Sequence, residues 1–239
     1  SVIQAELKKN LPACLEYCKK YGLEINNTYL PKEDHLERVY KRLPSVKGVD
    51  KLKLQIMDKS IYYVSKHQDA NKTCAIIKKL YKGKNPKDIK VIDGTAHIGG
   101  NTIPFGLHGF DTTAVEIDSN ICNLLKHNLK LYGLKVKHIC GAIQDVNIKS
   151  DVLFLNPPWG VSGYDQIKNF RLALSGIDIV EIINGFKGKT DVVILKVPYN
   201  FDYEHFIRNN TFSTLSQQVR LECYYLIVLL SEKMANDFF

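Results

Sequence analysis

The chain lacks any apolar stretch of the roughly 18 residues that a membrane span needs. Its longest, Cys223 to Leu230, is strand-sized. The N-terminus lacks a signal peptide's order of basic, apolar and small residues. These two absences predict a soluble intracellular protein, nuclear or cytoplasmic, with no membrane partner. Cysteines are few and scattered: Cys14, Cys18, Cys74, Cys122, Cys140 and Cys223 share no repeated short spacing. Structural zinc sites draw on two closely spaced ligand pairs, so no metal is expected and the six read as buried free thiols. Arginine is scarcer still, five against 28 lysines. Together with many Asn and Ile residues, that reflects an A/T-rich genome rather than a chemistry.

What is present is ordinary in amount and uneven in place. Hydrophobic residues make up 45% of the 239 positions and charged residues 24%, enough for one sizeable core plus an appendage. Residues 1–90 hold 20 Lys and Arg against 10 Asp and Glu, whereas residues 91–239 hold 13 against 15. The whole excess behind the net charge of +8 therefore sits in the N-terminal third. A positive surface beside a near-neutral domain suits a polyanion, because phosphate contacts release counterions. A solvated helical face explains the same charge equally well.

Periodicity divides the chain in the same way. Helical stripes run over Ala5–Tyr21, Glu33–Leu43 and Gln68–Leu80, the last with Ser65 or Asp69 near its start as a cap. Between them Gly22–Pro31 breaks the pattern and Leu52–Tyr63 reads as irregular or extended. After Gly83-Lys84-Asn85-Pro86 strands and helices alternate. Strands are expected at 89–92, 111–117, 136–140, 152–155 and 191–197, with two further strand-like stretches in 219–230. Helices are expected at 99–106, 120–132, within 164–183 and at 203–208. That alternation predicts an α/β architecture with a mostly parallel, doubly wound sheet and a closing antiparallel hairpin.

Two loops at predicted strand ends carry the chemistry. The first is Asp93-Gly94-Thr95-Ala96-His97-Ile98-Gly99-Gly100-Asn101. It has no lysine after its last glycine, as a P-loop would, and no Gly-x-Gly-x-x-Gly. It opens on a carboxylate, which repels pyrophosphate but attracts a cation such as the amino or sulfonium group of S-adenosylmethionine. Glu116 ends the next strand, where a carboxylate can accept both hydroxyls of a ribose. An N-cap aspartate and a surface glutamate are the plainer explanation of either alone. The second loop is Asn156-Pro157-Pro158-Trp159-Gly160. Consecutive prolines fix an extended backbone and leave carbonyls free to accept. The Asn156 amide oxygen and the Pro157 carbonyl can hold an –NH2 group, and the lone tryptophan can stack on its base. A structural turn with a buried tryptophan is the alternative.

These residues resemble the trimethylguanosine synthases, which methylate the 2-amino group of 7-methylguanosine RNA caps. The likeness rests on Gly99-Gly100-Asn101-Thr102-Ile103, Glu116-Ile117-Asp118, Ile139-Cys140-Gly141, Asn156-Pro157-Pro158-Trp159-Gly160 and, more weakly, Pro198-Tyr199-Asn200. It covers about residues 60–230 and looks like a compact version of the family, of a composition that suits a viral source. The resemblance implies a Rossmann-like class I S-adenosylmethionine-dependent methyltransferase fold, with a seven-stranded sheet over residues 61–239 and a small, basic helical extension over 1–60. It implies catalysis by Asn156, Pro157 and Trp159. Cofactor contacts would come from Ser65, Asp93, Gly94, Thr95, Asn101, Glu116, Ile117, Gly141, Ala142 and Asn156. Substrate contacts would come from Trp159, Pro158, Asn200 and Lys53. Capped RNA is the implied partner, no metal is implied, and a monomer is expected.

Three positions depart from the family pattern. His97 stands where the family has glycine, so either the backbone path differs or the side chain points away. Ala142 stands where relatives carry Asp, with Gln144 or Asp145 as substitutes, and Tyr199 replaces a phosphate-contacting arginine. Two rival functions share the motifs. One is an amine methyltransferase of adenine N6 or cytosine N4 in DNA or ribosomal RNA. The other is a non-catalytic cap- or RNA-binding module on the same fold.

Overall fold

Val91, Ile92, Val152, Leu153, Phe154 and Leu155 are all buried, so β1 (Lys90–Asp93) and β4 (Ser150–Leu155) are apolar on both faces. Strands with helices above and below them need that pattern. The computed structural model describes residues 33–57, 59–160, 163–221 and 223–238. The expected helix Ala5–Tyr21, Cys14 and Cys18 thus lie outside the described residues. Flanking β1 and β4 are β2 (Asp111–Glu116), β3 (Lys137–Cys140) and β7 (Thr190–Pro198), and the hairpin is β8 (Ser213–Arg220) with β9 (Cys223–Leu229). The small strands β5 (Ala173–Leu174) and β6 (Ile177–Asp178) pair only with each other.

The seven-stranded order is β3-β2-β1-β4-β7-β9-β8. All pairs from β3 to β7 are parallel, and β9 runs antiparallel to both neighbours. The sheet reverses its order between β1 and β4. Ligands of open α/β sheets bind beyond the carboxyl ends at such a switch point. Two apolar clusters fill the two faces, and Trp159 packs at the edge of both.

A third cluster joins the N-terminal segment to the domain. α1 (Glu33–Arg42) and α2 (Ser60–Tyr63) contribute Val39, Leu43 and Ile61. They pack with Ala96, Ile98, Leu125 and Leu129, the last two from α5 (Ser119–Leu131). Lys51 Nζ donates to the Tyr40 and Leu43 carbonyls at 2.8 and 3.1 Å, closing the otherwise open end of α1. Fully buried Asn128 of α5 accepts from the Gln55 N–H at 2.8 Å and donates to the carbonyls of Gln55 (2.9 Å) and Ile98 (3.0 Å). One amide thus binds helix, N-terminal segment and cofactor-side loop together.

Several local expectations are corrected. Residues 51–53 and 60–63 are helical turns rather than extended chain, because Asp50 caps the first and Ser60 Oγ accepts the Met57 N–H in the second. α3 (His67–Leu80) begins after Lys66, with no side-chain cap, since Ser65 and Asp69 are engaged elsewhere. α4 (Thr102–Leu107) starts later than its glycines suggest. The region 164–183 holds a short 3-10 turn and the β5–β6 hairpin before α6 (Ile179–Asn184). α7 (Tyr203–Asn209) matches the expected helix, and α8 (Glu232–Phe238) follows the hairpin. β8 begins at Ser213, because an edge strand exposing Gln217 and Gln218 shows no apolar alternation. Cys122 of α5 and Cys140 of β3 are joined in a disulfide, which corrects the free-thiol reading, while Cys74 and Cys223 are buried and free.

Replacing Asn128 with alanine takes the partner from three backbone groups, two of half-buried Gln55 and one of buried Ile98, so Asn128→Ala is expected to lower stability by about 3 kcal/mol. A shifted midpoint in urea unfolding, with faster hydrogen exchange at the Gln55 amide, is the expected result. An unchanged midpoint would mean the segment is held by apolar packing alone.

Candidate active site

The loops after β1 and β4 meet at the switch point through short hydrogen bonds. Gly94 N–H donates to the Phe154 carbonyl at 2.9 Å, and Asn156 N–H donates to Thr95 Oγ1 at 2.8 Å. Gly94 lets the loop lie close on β4, because a Cβ there would lie 2.7 Å from Leu155 Cδ2 and 3.0 Å from Ile143 Cγ1 and would push those buried side chains aside. From the N-terminal side, residues 64–65 press on the same loop. A Cβ at Gly100 would meet Val64 Cγ1 at 2.9 Å and the Ser65 nitrogen at 3.2 Å.

Asp93 is fully buried and turned into the protein. Its carboxylate accepts from Thr102 Oγ1 at 2.7 Å and from the Thr95 N–H at 3.3 Å. It therefore braces the loop from within, where the sequence suggested direct attraction of a cation. Burial, only partly offset by the Thr102 bond, pushes its pKa up to about 6. Glu116 at the end of β2 accepts from the His97 N–H (2.8 Å) and the Asp118 N–H (2.9 Å), and burial raises its pKa. Each of its oxygens keeps a lone pair for a further donor.

His97 takes the left-handed backbone that glycine adopts readily, at φ 48°, and its side chain is turned to Ser60 and Tyr63 of the N-terminal segment. Its Nε2 lies 3.1 Å from Ser60 Oγ and its ring centroid 5.3 Å from that of Tyr63. Burial lowers its pKa to about 4, so the imidazole is neutral and adds no positive charge to the site. Beyond β2, Ile117 is exposed and Gly141 has no atom closer than 4.0 Å to a notional Cβ. Ala142 caps the turn at 143–145. Asn101 is buried, yet its Oδ1 has no partner among the described residues. An unpaired buried amide atom suits the charged amino-acid end of S-adenosylmethionine. The residues present fit that cofactor.

Asn156 is half-buried and held at both ends, its N–H by Thr95 and its Nδ2 by Ser65 Oγ at 3.1 Å. Among the described residues nothing donates to Asn156 Oδ1 or the Pro157 carbonyl. Pro157 is buried and Pro158 exposed. Trp159 is half-buried and packs edge-to-face on Tyr164 (centroids 5.4 Å apart), with its Nε1 buried and unpaired among the described residues.

Asn200 and Tyr199 fasten the wall that carries Tyr164. Asn200 Nδ2 donates to the Tyr164 and Ile167 carbonyls at 2.7 and 2.8 Å, and the Tyr199 hydroxyl donates to the Asp165 carbonyl at 3.0 Å. The NH2 of Asn200 is thereby used up in positioning a loop. The Lys53 side chain is exposed, and the Lys53 carbonyl is held by His127 of α5 at 2.8 Å, so its contacts run to that helix rather than to the Asn156 loop. Sequence reasoning missed Tyr164, Thr102 and Lys196. Lys196 is 3% exposed and meets Ser65 Oγ at 3.3 Å and Asp69 at 3.5 Å. A lysine inside the apolar run Val192–Val197 was the available signal.

Because the folded-state pKa of Asp93 lies above the unfolded value, its contribution to stability is full below about pH 4 and lost as pH rises through about 6. The carboxyl carbon of Asp93 should titrate near 6 by NMR. Titration near 4 would show that water reaches it.

A family model described as RNA cap guanine-N2 methyltransferase matches residues 88–233. An uncharacterized protein of Acanthamoeba polyphaga mimivirus is 26% identical over 180 residues, 64% of this chain and 70% of that protein. The trimethylguanosine synthase of Schizosaccharomyces pombe is 34% identical over 85 residues, 31% of this chain, and the chain spans only 35% of that enzyme. Among solved structures, a Listeria monocytogenes protein described as a class I S-adenosylmethionine-dependent methyltransferase superposes with a TM-score of 0.53 at 13% identity, covering 72% of this chain and 62% of its own. The magnesium protoporphyrin IX methyltransferase of Synechocystis, with bound S-adenosylmethionine, gives 0.50 at 14% identity, covering 83% and 90%. These likenesses bear on the fold, which is that of class I methyltransferases. With that fold and the match over β1 to β9, the chain is an S-adenosylmethionine-dependent methyltransferase and belongs to the RNA cap guanine-N2 methyltransferase family.

Proposed function

We propose that the chain methylates the 2-amino group of 7-methylguanosine in RNA caps. The observation that carries this reading is the pair of unoccupied acceptors, Asn156 Oδ1 and the Pro157 carbonyl, on a loop tied to the cofactor loop through Thr95. Two acceptors set by a rigid Pro-Pro backbone can take both hydrogens of an exocyclic amine and aim its lone pair. S-adenosylmethionine supplies an electrophilic methyl carbon on a sulfonium. The chain's part is position and orientation, which alone can account for a large share of such a reaction's barrier. No strong base is required, because the methylated amine becomes acidic and releases its proton to water.

Cofactor binding falls to Glu116, Ile117, Gly141, Ala142, Asn101, Gly94 and Thr95, with Asp93 and Ser65 holding them in shape. Trp159 supplies the stacking face, and Pro158 and the wall carrying Tyr164 complete the base site. Methylation at N7 makes the guanine cationic, and tryptophan is the strongest π partner for a cation. Lysines exposed at 47, 53, 59, 66 and 72 supply positive charge for the RNA phosphates.

The test offers labelled cofactor with a 7-methylguanosine cap dinucleotide, the unmethylated cap and an adenine oligonucleotide. Transfer to the first alone is expected. Equal transfer to the unmethylated cap would remove the cation–π argument, and transfer to adenine would replace this function with nucleic-acid amine methylation. Trp159→Ala should cut cap methylation by roughly 30-fold or more and leave S-adenosylhomocysteine affinity unchanged by calorimetry. Joint loss of both would assign Trp159 to the core instead.

A further inference from the structure

Three side-chain nitrogens converge on one hydroxyl. Ser65 Oγ lies 3.1 Å from Asn156 Nδ2, 3.2 Å from Asn101 Nδ2 and 3.3 Å from Lys196 Nζ. A serine oxygen has two lone pairs and one hydrogen, so it cannot accept from all three. Lysine has only donors to offer while charged; burial lowers the pKa of Lys196, and Asp69 (3.5 Å), which also meets Arg220 Nε at 3.4 Å, works against that shift. One lone pair therefore belongs to Lys196. A single lone pair and the Ser65 O–H are left for two asparagines. One must donate and the other must turn its oxygen inward to accept, since the two ends of an amide have the same shape.

We infer that Lys196 is a positioning residue which, through Ser65, forces Asn101 and Asn156 to face opposite ways, so that an outward Asn156 oxygen and an outward Asn101 NH2 fix each other. The inference rests on the proposed function for its assignment of the outward oxygen. The orientation at Asn156 is the one that leaves an acceptor outward. Asn101 then takes the Ser65 O–H on its oxygen and turns its NH2 to the unpaired buried position, where it suits the carboxylate end of the cofactor. The register explains why a lysine can do this. β4 and β7 pair Leu155 with Leu195, so Asn156 and Lys196 are the next residues on adjacent strands.

Two measurements test this. A neutron structure of the deuterated protein with S-adenosylhomocysteine reads the orientations directly, whatever the substrate. It should show Asn156 and Lys196 donating to Ser65 Oγ and the Ser65 O–D donating to Asn101; both asparagines donating to Ser65 would overturn the inference. Kinetically, Lys196→Met frees a Ser65 lone pair and unlocks both asparagines, so it should lower kcat on the 7-methylguanosine cap and weaken S-adenosylhomocysteine binding, each by roughly 10-fold, with cap KM within about twofold. In a Ser65→Ala background the same change should cost almost nothing more, because the two act in series. An unaltered kcat, or an equal loss in the Ser65→Ala background, would overturn it. If Lys196→Met fails to fold, Lys196→Met with Asp69→Asn removes both buried charges together and serves the same comparison. No transfer to the cap by the wild-type protein would count against the proposed function instead, and the neutron result would still decide the role of Lys196.

Discussion

The site depends on how closely three backbone segments can approach around one serine hydroxyl. Residues 64–65, the loop after β1 and the loop after β4 come from distant parts of the chain, yet Ser65 Oγ touches side chains from both loops and from β7. Two glycines make the approach possible, Gly94 against β4 and Gly100 against Val64 and Ser65. The hydroxyl is small enough to enter that space and polar enough to satisfy groups that would otherwise be buried without partners. A residue without a hydroxyl would take this partner from Asn101 and Asn156 and leave Lys196 with Asp69 alone, a cost of several kcal/mol in a domain whose net stability is only about 5–15 kcal/mol.

Buried charge around this hydroxyl is better understood as geometry than as stabilisation. Lys196, Asp69, Asp93 and Glu116 are all less than a tenth exposed. Desolvation of such groups consumes much of their mutual attraction, so a buried ion pair is weak evidence for added stability. A charge does fix which neighbours donate and which accept. Asp93 can only accept while ionised, which aligns the Thr102 hydroxyl and the Thr95 N–H, and Thr95 in turn accepts from the Asn156 N–H. A continuous chain of bonds thus runs from β1 through the loop that follows it to the loop after β4.

Both loops and the strand–helix alternation were legible in the sequence because glycine, proline and carboxylates at strand ends each have few structural uses. Asn156-Pro157 was legible as a rigid loop with free acceptors for the same reason. The disulfide was not, since a separation of 18 residues between Cys122 and Cys140 carries no signal until the edge strand lies against α5. β8 was half-hidden because an edge strand needs no apolar alternation. The direction in which Asp93 points was also hidden, because the same carboxylate can face a ligand or brace its own loop, and Thr102 nine residues later decides between them. Lys196 could have been found: a lysine among six buried apolar neighbours must have partners, although sequence could not say that they were Ser65 and Asp69.

The N-terminal segment therefore belongs to the site's mechanics as well as to its charge. Asn128 holds Gln55 and Ile98 with one amide, Ser60 meets His97, and Arg42 donates to the Val64 carbonyl at 2.9 Å. The first two tie residues 42–65 to the loop after β1 and to the helix beside it, and the third closes the segment on itself. His97, placed where the family pattern has glycine, gains the side chain that makes one of these ties and holds a left-handed backbone in exchange. Exposed lysines on the same segment are consequently carried on a scaffold fixed relative to Asn156. A polyanion bound by them would be held in register with the loop after β4, and charge and the proposed chemistry would act on one ligand.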